Sequence, residues 1–312
     1  MSFSSQTKSE LAQVTSEKRC CMLAEISGFT RMCGTIRLAG PGRVSLRLLT
    51  ENAAAARKMI KLLKEYFGIG VELVISKNQM LKKNNYYEMI ITEEMGCQAV
   101  LRETGILSVR EGFNVIDYGV ADFIVKKKCC KRAFLRGAFL GGGSLSDPEK
   151  AYHLEMVTSN EALGRGIMSV MNSLGLSAKM VERKKHYIVY VKESERIVDF
   201  LNYTGAHGIL LEYENVRILK EMRNRANRMV NCDNANLDKT MDAAQKQIQA
   251  IEKIRDTKGL DFLPPKLYEI ALLRLAEPDS SLKELGEQMD PPLGKSGVNH
   301  RLARIEEIAR RL

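Results

Sequence analysis

The chain has 312 residues, with 48 Lys and Arg against 38 Asp and Glu, a net charge of +10, 45% hydrophobic residues and no Trp. That balance belongs to a folded globular protein and excludes a disordered or low-complexity one. The longest uncharged run, Gly166–Ala178, is 13 residues, too short to span a bilayer, and MSFSSQTKSELAQ at the start lacks the apolar core of a secretory signal. Seven cysteines in such a chain read as reduced thiols rather than a disulfide framework. These features predict a cytoplasmic protein without membrane contact. The basic excess makes nucleic acid the leading partner class.

The charge is uneven. Residues 1–213 hold 30 basic and 22 acidic side chains, a net of +8, and residues 214–312 a net of +2. Within the first part, Lys126 to Arg136 (KKKCCKRAFLR) holds six positive charges and no acid. Lys126, Lys127, Lys128, Lys131 and Arg132 are therefore candidates for auxiliary phosphate contacts.

The chain contains a repeat. Residues 19–34, RCCMLAEISGFTRMCG, align without a gap on residues 128–143, KCCKRAFLRGAFLGGG, at an offset of 109. Cys20 and Cys21 fall on Cys129 and Cys130, Gly28 on Gly137, and Gly34 on Gly143. After the first segment, TIRLAG and VSLRLLT read as a hairpin across a Pro41-Gly42 turn. Glu51 to Phe67 is helical, with Met59, Ile60, Leu63 and Phe67 at 3–4 spacing. VELVIS and YYEMIIT form a second strand pair around a Lys/Asn turn, and a helix spans Glu93 to Glu103.

The second copy repeats the order. A strand at His153–Thr158 pairs near Gly143–Ser146, and a helix at Asn160–Leu174 follows Ser159 as its N-cap. Lys179–Arg183 and His186–Lys192 form a hairpin across Lys184-Lys185, and a short helix runs from Glu193 to Asn202. Each unit reads αββαββα. Neither buries a four-stranded sheet alone, so two units meeting along their first helices would share a core. The glycines fit that packing, because small residues let helix backbones approach.

Ile26-Ser27-Gly28-Phe29-Thr30-Arg31-Met32-Cys33-Gly34 and Leu135-Arg136-Gly137-Ala138-Phe139-Leu140-Gly141-Gly142-Gly143 resemble two degenerate copies of the LAGLIDADG motif of homing endonucleases. The resemblance implies a pseudo-symmetric saddle in which each motif helix ends in an acid, and paired acids hold divalent metal. The matching positions here are Cys33 and Gly142, which suit magnesium poorly or not at all. Asp147 and Glu149 lie nearby but past the helix end. The fold is expected to persist without the nuclease chemistry, leaving basic concave sheet faces to lie on duplex DNA.

Past Tyr213, Glu214–Met229 reads as a basic helix, Asn231–Asn236 as a polar break, and Leu237–Thr257 as a second helix with Met241, Ile248, Ile251 and Ile254 on one face. Leu263-Pro264-Pro265 opens a compact unit. Lys266–Ala276 is helical, Pro278-Asp279-Ser280-Ser281 ends it, and Leu282–Met289 is a short helix. After the Asp290–Gly294 turn comes a last helix, Lys295–Leu312, burying Val298, Leu302, Ile305 and Ile308. This is a helix-turn-helix. Lys295, Ser296, Gly297, Val298, Asn299, His300, Arg301 and Arg304, with Ser281, Lys283 and Glu284 before the turn, are the candidate DNA-binding residues. Arg pairs bidentately with guanine and Asn with adenine.

The strings SLKELGEQMDPPLGKSGVNHRLARIEEIA and LRGAFLGGGSLSDPEKAYHLE resemble the WhiA family of bacterial regulators over nearly the whole chain. The resemblance implies an α+β fold of two pseudo-symmetric αββαββα units forming a saddle, followed by an all-α helix-turn-helix domain. The corresponding divisions are 1–110, 111–213, linker helices at 214–258, and 259–312. The implied function is non-catalytic DNA-binding transcriptional regulation, tied to cell division, chromosome segregation and, in sporulating bacteria, sporulation. A nucleoid-associated location and double-stranded DNA as partner follow, with an RNA polymerase sigma factor as a further partner. Two rivals stay open. One is a residual metal-dependent endonuclease using Asp147 and Glu149, and the other an adaptor that binds a sigma factor.

The adjacent cysteines lack the C-x-x-C spacing of a zinc site and read as small buried residues heading the motif helices. His153, His186, His207 and His300 are scattered, and Gly141–Gly143 lacks the following G-K-S/T of a P-loop. No metal and no cofactor are expected.

Overall fold

A computed structural model describes residues 2–38, 44–77, 85–111 and 113–312. The expected turns at Pro41-Gly42 and within 78–84 lie outside the described residues. The chain divides into two compact units, Met1–Leu219 and Lys220–Leu312.

The first unit opens with a helix that the sequence reading lacked, α1 (Phe3–Leu11). Ser2 caps it by accepting from the Ser5 amide, and Thr7 and Leu11, four apart, are its buried residues. The first repeat follows as α2 (Arg19–Cys33), β1 (Gly34–Leu38), β2 (Val44–Thr50), α3 (Ala53–Phe67), β3 (Glu72–Lys77), β4 (Asn85–Ile91) and α4 (Cys97–Glu103). A hairpin of β5 (Leu107–Arg110) and β6 (Phe113–Ile116) comes next, so the expected boundary at 110/111 falls between paired strands. The second repeat is α5 (Lys128–Gly142), β7 (Gly143–Leu145), β8 (Leu154–Thr158), α6 (Glu161–Asn172), β9 (Lys179–Arg183), β10 (His186–Val191) and α7 (Ser194–Thr204).

Local chemistry moves some boundaries. Asn160, not Ser159, caps α6, its side chain accepting from the Leu163 amide. Helix α4 starts at Cys97 rather than Glu93, because Gly96 takes a left-handed backbone, φ 94°, just before it. Lys184 and Lys185 both have positive φ, 49° and 64°, as a two-residue hairpin turn requires.

The two sheets have the same antiparallel order, β1-β2-β4-β3 and β7-β8-β10-β9. Alternation sends Leu46, Leu48, Met89 and Ile91 of the first, and Leu154, Met156, Val189 and Val191 of the second, into one shared core. Helices α2 and α5 form the seam. A Cβ on Gly28 would lie 2.2 Å from the Phe134 carbonyl oxygen, and one on Gly137 would lie 2.0 Å from that of Glu25. The backbones meet at both motif glycines.

Buried polar groups lock this seam. Ser27 Oγ donates to the Thr104 carbonyl at 3.0 Å, and Arg136, the equivalent position, donates to the Thr204 carbonyl at 3.1 Å. Thr104 and Thr204 close α4 and α7 in the same way, each donating its hydroxyl back one turn and preceding a left-handed glycine.

Helix α8 (His207–Lys258) is one helix of 52 residues. The predicted break at Asn231–Asn236 does not form, because no Gly or Pro occurs between Gly208 and Gly259 and Asn costs a helix only tenths of a kcal/mol. Its first turn is capped by Glu10 of α1, which accepts from the Gly208 and Ile209 amides at 2.6 and 2.8 Å.

In the second unit, α8 ends at Gly259, φ 79°, and a 3-10 turn at Leu260–Phe262 leads to α9 (Pro265–Ala276), α10 (Leu282–Glu287) and α11 (Lys295–Arg311). Its core joins Ile251 and Ile254 of α8 to Ile270, Leu285, Met289, Val298, Leu302 and Ile305. Met241, expected on that face, is exposed; Ala244 and Gln247 are buried there instead.

Candidate nucleic-acid interface

The pair α10–α11 is built around a tight approach. A Cβ on Gly286 would lie 2.1 Å from the Leu293 carbonyl oxygen, and the Leu293 amide donates to the Gly286 carbonyl at 2.8 Å. Ser281 and Glu284 form a capping box at the head of α10. The Ser281 backbone and side chain hold the Glu284 carboxyl below its usual range. Arg274 of α9 is buried, and its guanidinium donates to the Ser280 carbonyl at 2.6 Å, which fixes the loop entering α10.

The predicted reading residues separate on α11. Lys295, Ser296, Asn299, His300 and Arg304 are exposed, and Gly297 is half-buried. Val298, expected both on the buried face and among the DNA-binding residues, is wholly buried with Leu302 and Ile305, so it packs the domain and its place among the readers is corrected. Arg301 is half-buried and reaches back, donating to the Lys266 carbonyl at 3.3 Å. Arg304 pairs with Glu307 on the exposed side. Lys295 and Asn299 border a cleft of about 380 Å³ that also takes Lys283 of α10 and Lys239 and Thr240 of α8. No sequence signal pointed to Lys239, because the packing of α8 brings it there.

Among the described residues the outer face of the first sheet is not the expected basic one, and that of the second is only weakly so. Opposite the helices, the first sheet carries Arg37, Arg47, Glu72 and Glu88, with Arg47 and Glu88 paired at 3.0 Å and Leu49, Val74 and Ile90 among them. The second carries Lys179, Arg183 and Glu155 with Val157, Val181 and Ile188. Acids match the cations on the first sheet, while the second keeps a small positive excess, with Lys192 stacked on Tyr190. The positive segment lies instead at the head of α5. Lys126, Lys127 and Lys128 are exposed, and Lys126, Lys128 and Lys131 line a second cleft with Ser173 and Leu174. Arg132 stacks its guanidinium 4.8 Å from the Tyr203 ring centre.

At the other end of the motif helices, Cys33 and Gly142 are the last residues of α2 and α5. The Cys33 thiol donates to the Phe29 carbonyl, and burial pushes it up to about 12. Helix α1 covers this pole. Ser4 accepts from the Leu145 amide at 3.3 Å, and the Lys8 ammonium lies near Cys33, its own pKa lowered by burial. A cation therefore stands where the nuclease pattern needs carboxylates around metal. Asp147 and Glu149 do not replace them: Asp147 accepts from the Glu149 amide within its own loop, and Glu149 is exposed.

The cysteine pairs, read separately from sequence, converge. The sulfurs of Cys20, Cys21, Cys129 and Cys130 all lie within 4.8 Å of one another. No helix among the described residues is long and apolar enough to cross a membrane.

A nuclease-type duplicated fold that has exchanged its acids for Cys33 and Gly142, and carries a helix-turn-helix behind it, defines a non-catalytic DNA-binding regulator. Relatives agree. Residues 19–107 match the WhiA N-terminal LAGLIDADG-like domain, 131–223 the WhiA LAGLIDADG-like domain, and 226–309 the WhiA C-terminal HTH domain. The probable cell division protein WhiA of Alkaliphilus oremlandii is 52% identical over 313 residues, covering 100% of this chain and 98% of that protein. Its namesake from Clostridium beijerinckii is 49% identical over 312 residues, covering 100% and 99%. The crystal structure of full-length WhiA from Thermatoga maritima has a TM-score of 0.59 at 27% identity, covering 100% of this chain and 99% of that one. The chain belongs to the WhiA family.

Proposed function

We propose that the protein reads duplex DNA with α11 and acts as a transcriptional regulator of cell division, at the nucleoid. The observation that carries this reading is the division of α11 into two sides. Val298, Leu302, Ile305 and Ala309 anchor it, while Lys295, Ser296, Asn299, His300 and Arg304 stand in solvent at its first turns. That is the arrangement of a helix whose N-terminal part enters a major groove. Lys239 and Lys283 supply phosphate contacts beside it, and Lys126, Lys127, Lys128, Lys131 and Arg132 supply auxiliary ones. The names of the relatives support the link to cell division. Chromosome segregation and sporulation belong to the same reading through the family.

The test uses the full-length chain against fragmented genomic DNA and random duplexes over a series of salt concentrations. Selection of discrete sites is expected, and Lys295→Ala with Asn299→Ala abolishes it while salt-sensitive general binding remains. Unchanged selection by that variant places the reader elsewhere.

A specific observation favours a second role for the first unit. The outer face of its first sheet sets Arg37 and Arg47 against Glu72 and Glu88 and is apolar at its centre, which suits a protein such as a sigma factor better than phosphates. Capture of purified sigma factor by the full-length chain, weakened by Val74→Glu, is the expected result.

A further inference from the structure

Four cysteines stand at the heads of the motif helices. Cys20 and Cys21 are the second and third residues of α2, and Cys129 and Cys130 are the second and third of α5. The seam at Gly28 and Gly137 draws the two helix heads together. Cys21 then faces Cys129, and Cys130 faces Cys20. Under the repeat these are one contact seen twice, so the four sulfurs share the pseudo-two-fold axis.

We propose that Cys20, Cys21, Cys129 and Cys130 bind one zinc ion as a closed tetrathiolate. The sulfurs lie within 4.8 Å of one another, with Cys129 and Cys130 Sγ 4.0 Å apart. Zn–S bonds of about 2.3 Å in a tetrahedron place sulfurs roughly 3.8 Å apart, so the cluster needs a contraction of about 1 Å at most. A disulfide needs sulfurs at about 2.05 Å, a much larger collapse. Cys21 and Cys130 are buried and hold the inner side, while half-buried Cys20 and Cys129 leave a way in for the ion. Binding releases four thiol protons to solvent. Two helix N-termini and Lys18, whose charge acts on Cys129, offset the charge of the resulting dianionic centre.

The vicinal spacing hid the site, since each pair supplies half of a ligand set and only the fold joins the halves. Four protein ligands leave no open position for a substrate. Twelve residues separate Cys21 from Cys33, about 18 Å of helix, so the ion is remote from the former nuclease pole. Its role is to clamp the two halves together.

The test is zinc content of the full-length chain, purified under reducing conditions without chelator, together with cobalt titration of the metal-stripped protein. One zinc per chain is expected. Cobalt should give the intense visible bands of a tetrahedral site and thiolate-to-metal charge transfer, saturating at one equivalent and displaced by zinc. Cys20→Ser with Cys129→Ser should abolish both, and Cys232→Ser, at an exposed position, should change neither. The wild-type cobalt spectrum needs no variant to fold. Folded wild-type protein that takes up neither zinc nor cobalt overturns the proposal. So does an intact mass lower by the hydrogens of two disulfides in metal-free protein purified the same way.

Discussion

Arg136 grips Glu25 across the seam with two hydrogen bonds, Nε to one carboxylate oxygen at 3.0 Å and a terminal nitrogen to the other at 2.8 Å. Glu25 has no exposure and Arg136 only 7%. Lys58 reaches the same carboxylate at 2.5 Å, and Ser16 donates to it at 2.8 Å. Truncating one partner of such a network leaves the rest buried and undercompensated. Arg136→Met is expected to destabilise the protein by about 3 kcal/mol in urea unfolding, within the range for broken buried ion pairs. A loss near zero would mean that Lys58 alone suffices.

The glycine seam makes a separate prediction. Added Cβ atoms at Gly28 and Gly137 meet backbone, which cannot rotate away. Gly28→Ala and Gly137→Ala should each cost roughly 1–3 kcal/mol or more, as overpacking does, despite the better helix propensity of Ala. Thermal melts of the two variants check this. Gly70→Ala, at a position with open space around it, is the control.

Residues on and around α11 should behave differently according to what each touches. Asn299→Ala should weaken binding to the selected site by about 1–3 kcal/mol and relax its preference at one base pair. Lys239→Ala should weaken all duplexes alike and lower the salt slope by about 1. Val298→Ala should instead lower the melting temperature. Fluorescence anisotropy over a salt series, with a melt for each variant, separates the three.

Ser281 and Glu284 stabilise α10 through their capping box. Ser281→Ala should therefore cost about 1 kcal/mol of stability. If binding per folded molecule instead fell while stability held, Ser281 would be a DNA contact after all.

Restoring acids at the pole should not restore cleavage. Cys33→Asp places a carboxylate beside Lys8, where the ammonium competes with a metal, and Gly142→Asp drives its Cβ to within 2.6 Å of Met32 Cε. Supercoiled plasmid with magnesium should stay intact. Nicking by the double variant would show that the acids alone had been missing.

The repeat was legible because close packing preserves residue type at fixed spacing. Gly28 with Gly137, and Cys20 and Cys21 with Cys129 and Cys130, keep one offset through more than a hundred residues of otherwise different chain. Helix α1 was not legible, since nine residues hold too few turns for a periodic signal and its burial comes from distant partners. The polar run Asn231–Asn236 suggested a break, but polar composition does not end a helix without Gly or Pro. The spacing did put Val298 on the buried face with Leu302 and Ile305, and its place among the readers failed against that same pattern. The rotation of α11 about its axis is set by packing against α9 and α10, and one step around the helix separates a base contact from a core residue.

The seam has a two-fold shape but not a two-fold charge. The repeat offset places Phe134 opposite Glu25 in the alignment and Ser27 opposite Arg136. Two copies of the second half, docked through their glycines, would bury a pair of guanidinium groups against phenylalanine with no carboxylate between them. Two copies of the first would keep Glu25 with Lys58 and find only serine where the guanidinium belongs. Each half has thus become a lock cut for the other's key. A chain built from two copies of either half would therefore lack one partner of this buried pair at each of its two equivalent places.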